Sequence, residues 1–269
     1  MAVDTSEYAL EDIASLWDDN ADYWAYQVRA GHDIYRDHFN NPAFFNFIGD
    51  IKGKKILDAG CGEGTNTRLL ARQGGVVTAI DISEKLIAYA HQAEDEKPLG
   101  ITYQVASYTN LSIFRDMEFD AVISTMALMD GPDFDQAFSE FHRVLKSPGD
   151  MFFSILHPCF MTRGLDWLEG KEIRDNTLLV SHYFEGRPWI DKWKFSHSPD
   201  SGSDDFVTTC YYSRTLTDYI NGVINAGFNL VKIDEPRPSE AACTKFPAFG
   251  KWRDHAAIFL YVHARKTRE

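Results

Sequence analysis

The stretch that most constrains the fold runs Ile56-Leu57-Asp58-Ala59-Gly60-Cys61-Gly62-Glu63-Gly64-Thr65. An apolar run stops at an acid, three alternate glycines follow, and Asn66-Thr67-Arg68-Leu69-Leu70-Ala71 resumes at helical spacing. A nearly continuous apolar segment is the mark of a parallel strand buried on both faces. Glycines let the chain turn sharply and let a ligand approach the backbone closely. Strand, glycine turn and helix N-terminus together predict a nucleoside-binding crevice at the carboxyl edge of an open α/β sheet.

The rest of the chain extends this unit. Strand and helix patterns alternate: strands over 55–59, 76–80, 101–105, 119–124 and 151–156, helices over 65–73 and 83–96, and a helix face made by Phe134, Ala137, Phe138, Phe141, Val144 and Leu145 that ends at Ser147-Pro148-Gly149. Such alternation predicts a parallel sheet covered on both sides. Two last strands, 228–233 and 256–263, follow a helix that begins with the capping-box-like Thr215-Leu216-Thr217-Asp218 and ends at Gly227. The expected fold is α/β, a Rossmann-like doubly wound, mostly parallel seven-stranded sheet with helices on both faces. Residues 1–50, aromatic and helical from about Tyr8 onward, form an N-terminal helical lid; 51–156 form the cofactor-binding core; 157–212 form an insertion after the fifth strand; 213–269 complete the core. The insertion is loop-rich and carries Trp167, Tyr183, Phe184, Trp189 and Trp193 between polar spacers that include Ser198-Pro199-Asp200-Ser201-Gly202-Ser203. A connection of that length in a compact domain carries function or moves.

Bulk composition narrows the partners. With 269 residues, 44% hydrophobic, the chain can bury a full core. A formal net charge of −13 opposes nonspecific binding to nucleic acid or anionic membranes, which needs a local excess of Lys and Arg. The N-terminal Met1-Ala2-Val3-Asp4-Thr5-Ser6-Glu7 is acidic and precedes no apolar signal core, and no segment is apolar enough to span a bilayer, so a cytoplasmic location is expected. The four cysteines, Cys61, Cys159, Cys210 and Cys243, show no CxxC or zinc spacing, so reduced thiols and no metal are expected.

Two ligands compete for the glycine loop. A dinucleotide calls for G-x-G-x-x-G; Gly60 and Gly62 fit it, but the third place holds Thr65, and the third glycine comes one position early at Gly64. Asp58 would repel a phosphate and suits a cationic ligand. The pattern acid-x-G-x-G-x-G, Asp81 at the end of the second strand, Phe119-Asp120-Ala121-Val122-Ile123-Ser124, and Phe141-His142-Arg143-Val144-Leu145-Lys146-Ser147-Pro148-Gly149-Asp150 closely resemble the class I S-adenosylmethionine methyltransferases between Lys55 and Leu156. That resemblance implies S-adenosylmethionine as cofactor and S-adenosylhomocysteine as product.

It also implies a set of site residues. Asp58, Gly60, Cys61 and Gly62 line the cofactor loop, with Cys61 as a small residue suited to tight packing; Asp81, followed by Ile82, accepts the ribose hydroxyls. Ser107 and Tyr108 stand where many relatives carry an acid near the adenine, and Thr125 and Met126, after Ser124, face the methionyl tail. Trp24 and Arg29 of the lid, near Trp17 and Tyr23, would touch the sulfonium and the carboxylate of that tail. His157, at the carboxyl end of the fifth strand, is the candidate general base; the stretch where relatives often carry a histidine reads Ala127-Leu128-Met129-Asp130. Each has a plainer alternative: Asp58 as a turn cap, Asp81 as a helix cap, His157 as a partner of loop backbone.

The expected activity is methyl transfer to a nitrogen, oxygen or carbon atom of a small molecule, with neither nucleic acid nor membrane as partner. A nicotinamide-dependent oxidoreductase and a catalytically silent cofactor-binding module remain the alternatives.

Overall fold

A computed structural model describes residues 8–172, 175–195, 197–199 and 206–267. The acidic stretch 1–7 and the polar residues 200–203 lie outside the described residues. The lid contains α1 (Leu10–Arg29), a π-helical turn (Arg36–Asn40) and α2 (Asn41–Ile48). Then β1 (Lys55–Ala59), α3 (Thr65–Arg72), β2 (Val76–Asp81), α4 (Glu84–Glu96) and β3 (Thr102–Val105) follow in the expected alternation. β4 (Phe119–Thr125), α5 (Phe134–Val144) and β5 (Leu145–Leu156) complete the core run. Beyond the insertion come α6 (Leu216–Asn225), a strand at Asn229–Asp234 and a strand at Phe259–Lys266.

These last two, with the five core strands, form one seven-stranded sheet. From one edge its order is Asn229–Asp234, Phe259–Lys266, β5, β4, β1, β2, β3. Phe259–Lys266 runs antiparallel to both neighbours, and the pairs β1–β2, β1–β4, β2–β3 and β4–β5 are parallel. The sheet reverses order between β1 and β4, which opens a crevice at their carboxyl ends, the usual ligand position in such sheets. Alternate strand residues feed two cores. Ile56, Ala79, Ile123 and Phe152 pack with Phe44, Leu70 and Ile87, while Leu57, Ile80, Val122 and Phe153 pack with Phe138, Phe141, Tyr219 and Val223. Side chains of a strand point alternately to its two faces, so α2, α3 and α4 cover one side and α5 and α6 the other.

The structure departs from the sequence pattern in three places. α5 ends at Val144, before Ser147-Pro148-Gly149, because Lys266 Nζ donates to the carbonyls of His142 and Leu145 at 2.7 and 2.9 Å and closes the helix end. The insertion is not loop alone: it holds two antiparallel hairpins, β6 (Asp166–Leu168) with β7 (Thr177–Leu179), and β8 (Pro188–Trp193) with β9 (Val207–Tyr212). Numbered in chain order, the two last strands are therefore β10 (Asn229–Asp234) and β11 (Phe259–Lys266). Between them lie two short helices, α7 (Glu240–Lys245) and α8 (Gly250–His255).

Lid and insertion are tied together over the crevice. Asn20 of α1 exchanges two hydrogen bonds with the Thr208 backbone, at 2.6 and 3.0 Å, and Gln27 donates to Ser198 Oγ at 2.9 Å. Val28, Tyr23 and Trp24 pack on Trp193, Phe195 and Val207. Among the described residues, no helix is long and apolar enough to cross a membrane.

Candidate active site

A cavity of about 670 Å3 lies at the carboxyl ends of β1, β2 and β4, beneath α1 and the β8–β9 hairpin. Its floor is the glycine loop. Gly60, Gly62 and Gly64 all have left-handed φ, at 82°, 57° and 86°, where a side chain is strained. At Gly60 there is no room either, because a Cβ would stand 2.4 Å from that of Ala127. The Gly60 and Cys61 amides both donate to the Ile80 carbonyl at 2.9 Å, which locks the loop onto the end of β2.

Three acids converge there. Asp81 Oδ2 accepts from the Gly62 amide at 2.8 Å and Oδ1 from Ser83 at 3.0 Å, so its carboxylate is oriented by backbone on both sides. Asp58 is buried beneath the loop and accepts from Thr67 Oγ1 at 2.6 Å. Burial pushes Asp58 up to about 7 and Asp81 up to about 6, and their mutual repulsion adds to the Asp58 shift. Glu63, also buried, accepts from Trp24 Nε1 at 2.9 Å and faces Arg36 at 3.7 Å. Negative charge with so little protein compensation, set under a glycine cradle, fits a cationic nucleoside. S-adenosylmethionine meets that description.

Eleven of the thirteen sequence-derived site residues line this one cavity: Trp24, Asp58, Gly60, Cys61, Gly62, Asp81, Ile82, Ser107, Tyr108, Thr125 and Met126. Ser107 Oγ is shared with Thr109, 2.7 Å from its Oγ1, and Met126 takes a positive φ of 56° as β4 ends. Ser124 turns the other way and donates to the Ala59 carbonyl at 2.8 Å.

Arg29 and His157 are the corrections. Arg29 donates to the Tyr89 carbonyl at 2.8 Å and stacks on that ring, on the flank where Asp18 and Asp22 also bind α4. Five residues along a helix is a turn of about 140°, so Arg29 cannot share the face of Trp24. Of the lid's two arginines it is Arg36, on the π-helical turn, that lines the cavity. His157 is buried outside the lining. Its Nδ1 accepts from the Cys159 amide at 3.2 Å, which puts the proton on Nε2, 2.7 Å from Glu235 Oε1. Burial lowers its pKa against the pull of Glu235, and no ring nitrogen remains to take a substrate proton. The histidine instead joins the end of β5 to the end of β10.

The structure adds residues to which the sequence pattern gave no site role. Trp189, Asp191 and Trp193 project from one face of β8, with Thr209 and Tyr211 opposite on β9, and all five line the cavity. Their signal was the alternation Trp-Ile-Asp-Lys-Trp, a period of two hidden in an aromatic-rich segment. Asp130 lines the wall after β4, and burial raises its pKa well above the usual carboxyl range. Behind it, buried Arg214 donates to the carbonyls of Leu128 at 2.9 Å, Gly131, and Pro132 at 2.9 Å, and so holds the loop that carries Asp130.

Known proteins are similar to this chain in sequence and fold. Residues 57–153 match the family described as methyltransferase domain. An S-adenosylmethionine-dependent methyltransferase from Mesorhizobium loti superposes with a TM-score of 0.67 at 27% identity, over 83% of this chain and 96% of that one. A protein of Haemophilus influenzae is 26% identical over 95% of this chain and 98% of its own length. The ubiquinone biosynthesis O-methyltransferase of Pseudomonas syringae is 31% identical over 159 residues, and the chain spans 64% of its length. Family match, sheet order and acid-lined glycine cradle agree: residues 57–153 form a methyltransferase domain on a Rossmann-like fold, and the chain is an S-adenosylmethionine-dependent methyltransferase, an enzyme with S-adenosylmethionine as its cofactor.

Proposed function

We propose that the enzyme methylates a small, partly apolar molecule enclosed between the glycine loop and the β8–β9 hairpin. The observation that carries this reading is the shared cavity: Asp58, Gly60 and Asp81 lie on one side of it and Trp189, Trp193 and Tyr211 on another. A roof tied down by the Asn20–Thr208 bonds suits a molecule that is surrounded, as small-molecule sites are. The net charge of −13 disfavours a polyanionic acceptor such as nucleic acid. Residues 8–50 and 157–212 act on this reading as two halves of a cap over the core.

S-adenosylmethionine, when bound, supplies a methyl group on a positively charged sulfur, already activated for displacement. The chain supplies position and environment. Asp81 holds the ribose, Asp58 and Glu63 balance positive charge beneath the loop, and Arg36 receives the carboxylate of the methionyl part. Ser107 and Tyr108 enclose the adenine side, and Thr125 and Met126 the methionyl tail. The aromatic walls exclude water and hold the acceptor in line with the methyl group, which is the larger part of what such a reaction requires of a protein.

The test is to incubate the enzyme with methyl-labelled cofactor and a metabolite extract. Label in a discrete low-mass product supports the reading. Label confined to RNA or protein, or no transfer at all, refutes it.

A further inference from the structure

We propose that the β8–β9 wall is an ammonium-binding subsite and that the methyl acceptor carries a basic nitrogen; this rests on the small-molecule reading above. Trp189, Asp191 and Trp193 alternate along β8 and therefore share a face. Tyr211 pairs with Trp189 across the hairpin, their rings 5.3 Å apart, and Trp193 stands 6.0 Å from Trp24 and 5.1 Å from Phe195. Asp191 sits in the middle of this aromatic wall. Rings present a negative face to a cation, and a carboxylate among them supplies the countercharge.

Charge across the cavity points the same way. The cationic side chains that line it already face protein groups: Arg36 faces Asp37 at 2.9 Å, Arg163 faces Glu185 at 3.1 Å, and Lys194 lies 4.4 Å from the Phe206 ring centroid. Asp33 receives the Arg36 amide at 3.0 Å. Asp191 has no ion pair among the described residues. Desolvation raises its pKa, opposed only by the Lys192 amide. Asp130 lines the same cavity, also without an ion pair among the described residues, while the nearby Arg214 gives its hydrogen bonds to carbonyls. A buried acid in this state either keeps its proton or is joined by a cation, and a cation beside it favours the ionised form. A neutral phenol or an anionic acid would leave Asp191 unbalanced, whereas a protonated amine on an apolar frame satisfies both the acid and the rings.

The test uses two probes of nearly equal shape, phenyltrimethylammonium and tert-butylbenzene, titrated into enzyme saturated with S-adenosylhomocysteine and read by tryptophan fluorescence. Saturable binding of the cation at least tenfold tighter than that of the neutral probe is expected. Asp191→Asn should weaken the cation at least tenfold, and Asp191→Glu should retain most of the affinity, with S-adenosylhomocysteine affinity unchanged in both. Equal affinity for the two probes, no saturable binding of the cation, or an unaffected Asp191→Asn enzyme would overturn the proposal. If Asp191→Asn loses cofactor binding, Trp189→Leu gives the second reading: undiminished cation affinity there also overturns it. The labelled-extract experiment separates the two levels. A neutral or anionic low-mass methylated product removes the ammonium subsite and leaves the small-molecule reading intact, whereas absence of any low-mass product removes that reading itself.

Discussion

The two sides of the cavity are built in different ways. The cofactor side is a short-range structure: Gly60, Gly62, Asp81 and Ser83 lie within a run of 24 residues and are joined by backbone hydrogen bonds from loop to strand end. The side proposed for the acceptor draws Trp24, Asp130, Thr162, Trp189, Tyr211 and Trp252 from six separate segments. It is held by long-range ties such as Asn20 to Thr208 and Arg214 to Leu128. A site made of backbone tolerates almost no change in its glycines. A site made of side chains on a hairpin can be rebuilt one residue at a time while the floor stays constant, which is how one fold hosts many acceptors.

The sharpest way to break this contrast is to fill the floor. Gly60→Val forces a side chain at a left-handed φ and sets its Cβ against Ala127. Strain and overpacking of about 1–3 kcal/mol each predict a loss of S-adenosylhomocysteine affinity of at least about 30-fold, measured by calorimetry. On the opposite wall, Trp189→Ala should leave that affinity within roughly twofold and lower turnover instead. If Trp189→Ala also abolished cofactor binding, the two sides would not be separable.

Asp81→Ala comes next. Hydrogen bonds to a charged group contribute about 1.5–3 kcal/mol each, so loss of the ribose acceptor should weaken S-adenosylhomocysteine by tens-fold to about 100-fold. The Gly62 and Ser83 amides lose their partner too, and a lower melting temperature in the apo protein should accompany the change. An unchanged dissociation constant would remove Asp81 from the ribose.

How far the sequence was legible follows the same division. All seven strands of the sheet and eleven cavity residues follow from patterns within a few residues of one another, because parallel strands, glycine turns and acids at strand ends are specified locally. Arg29 was misplaced although helical geometry alone separates it from Trp24 by about 140°. His157 was placed at the right strand end, but its direction depends on Glu235, 78 residues away. The β8–β9 wall has the sequence texture of a loop because its period of two spans only six residues and its partner strand begins fourteen positions later. Arg36 and Arg214 carry no local signal, since each acquires its meaning from carbonyls and acids brought by distant segments.

Acidity gives a further test of the floor. Asp81 at about 6 and Asp58 at about 7 lie above the ordinary 3.8. Such groups contribute stability to the apo fold that is present below 3.8 and lost as the pH rises through about 6 to 7. Ligand hydroxyls and positive charge favour the ionised acids, so cofactor binding should tighten over that same rise and release protons. With Asp81 required as carboxylate, affinity at pH 5 should be about tenfold below that at pH 7.5. Calorimetry in two buffers of different ionisation enthalpy would report the released proton near pH 6. Affinity independent of pH would mean that neither acid meets the ligand.

The smallest effects are expected from the two residues that the structure moves out of the cavity. Arg29→Ala removes an exposed contact with Tyr89, and surface substitutions of this kind change stability by no more than about 0.5 kcal/mol. Cofactor affinity should then stay within about twofold of wild type. His157→Ala deletes a buried ring and its bonds to Glu235 and Cys159, so the cost should be about 1–3 kcal/mol of stability. A fall of several degrees in melting temperature would register it. Turnover at a temperature where both proteins are folded should keep the wild-type pH profile, because a neutral imidazole with both nitrogens engaged takes no part in proton transfer. Loss of an ionisation from that profile in His157→Ala, at unchanged stability, would return the histidine to the chemistry and shift the acceptor side toward the end of β5.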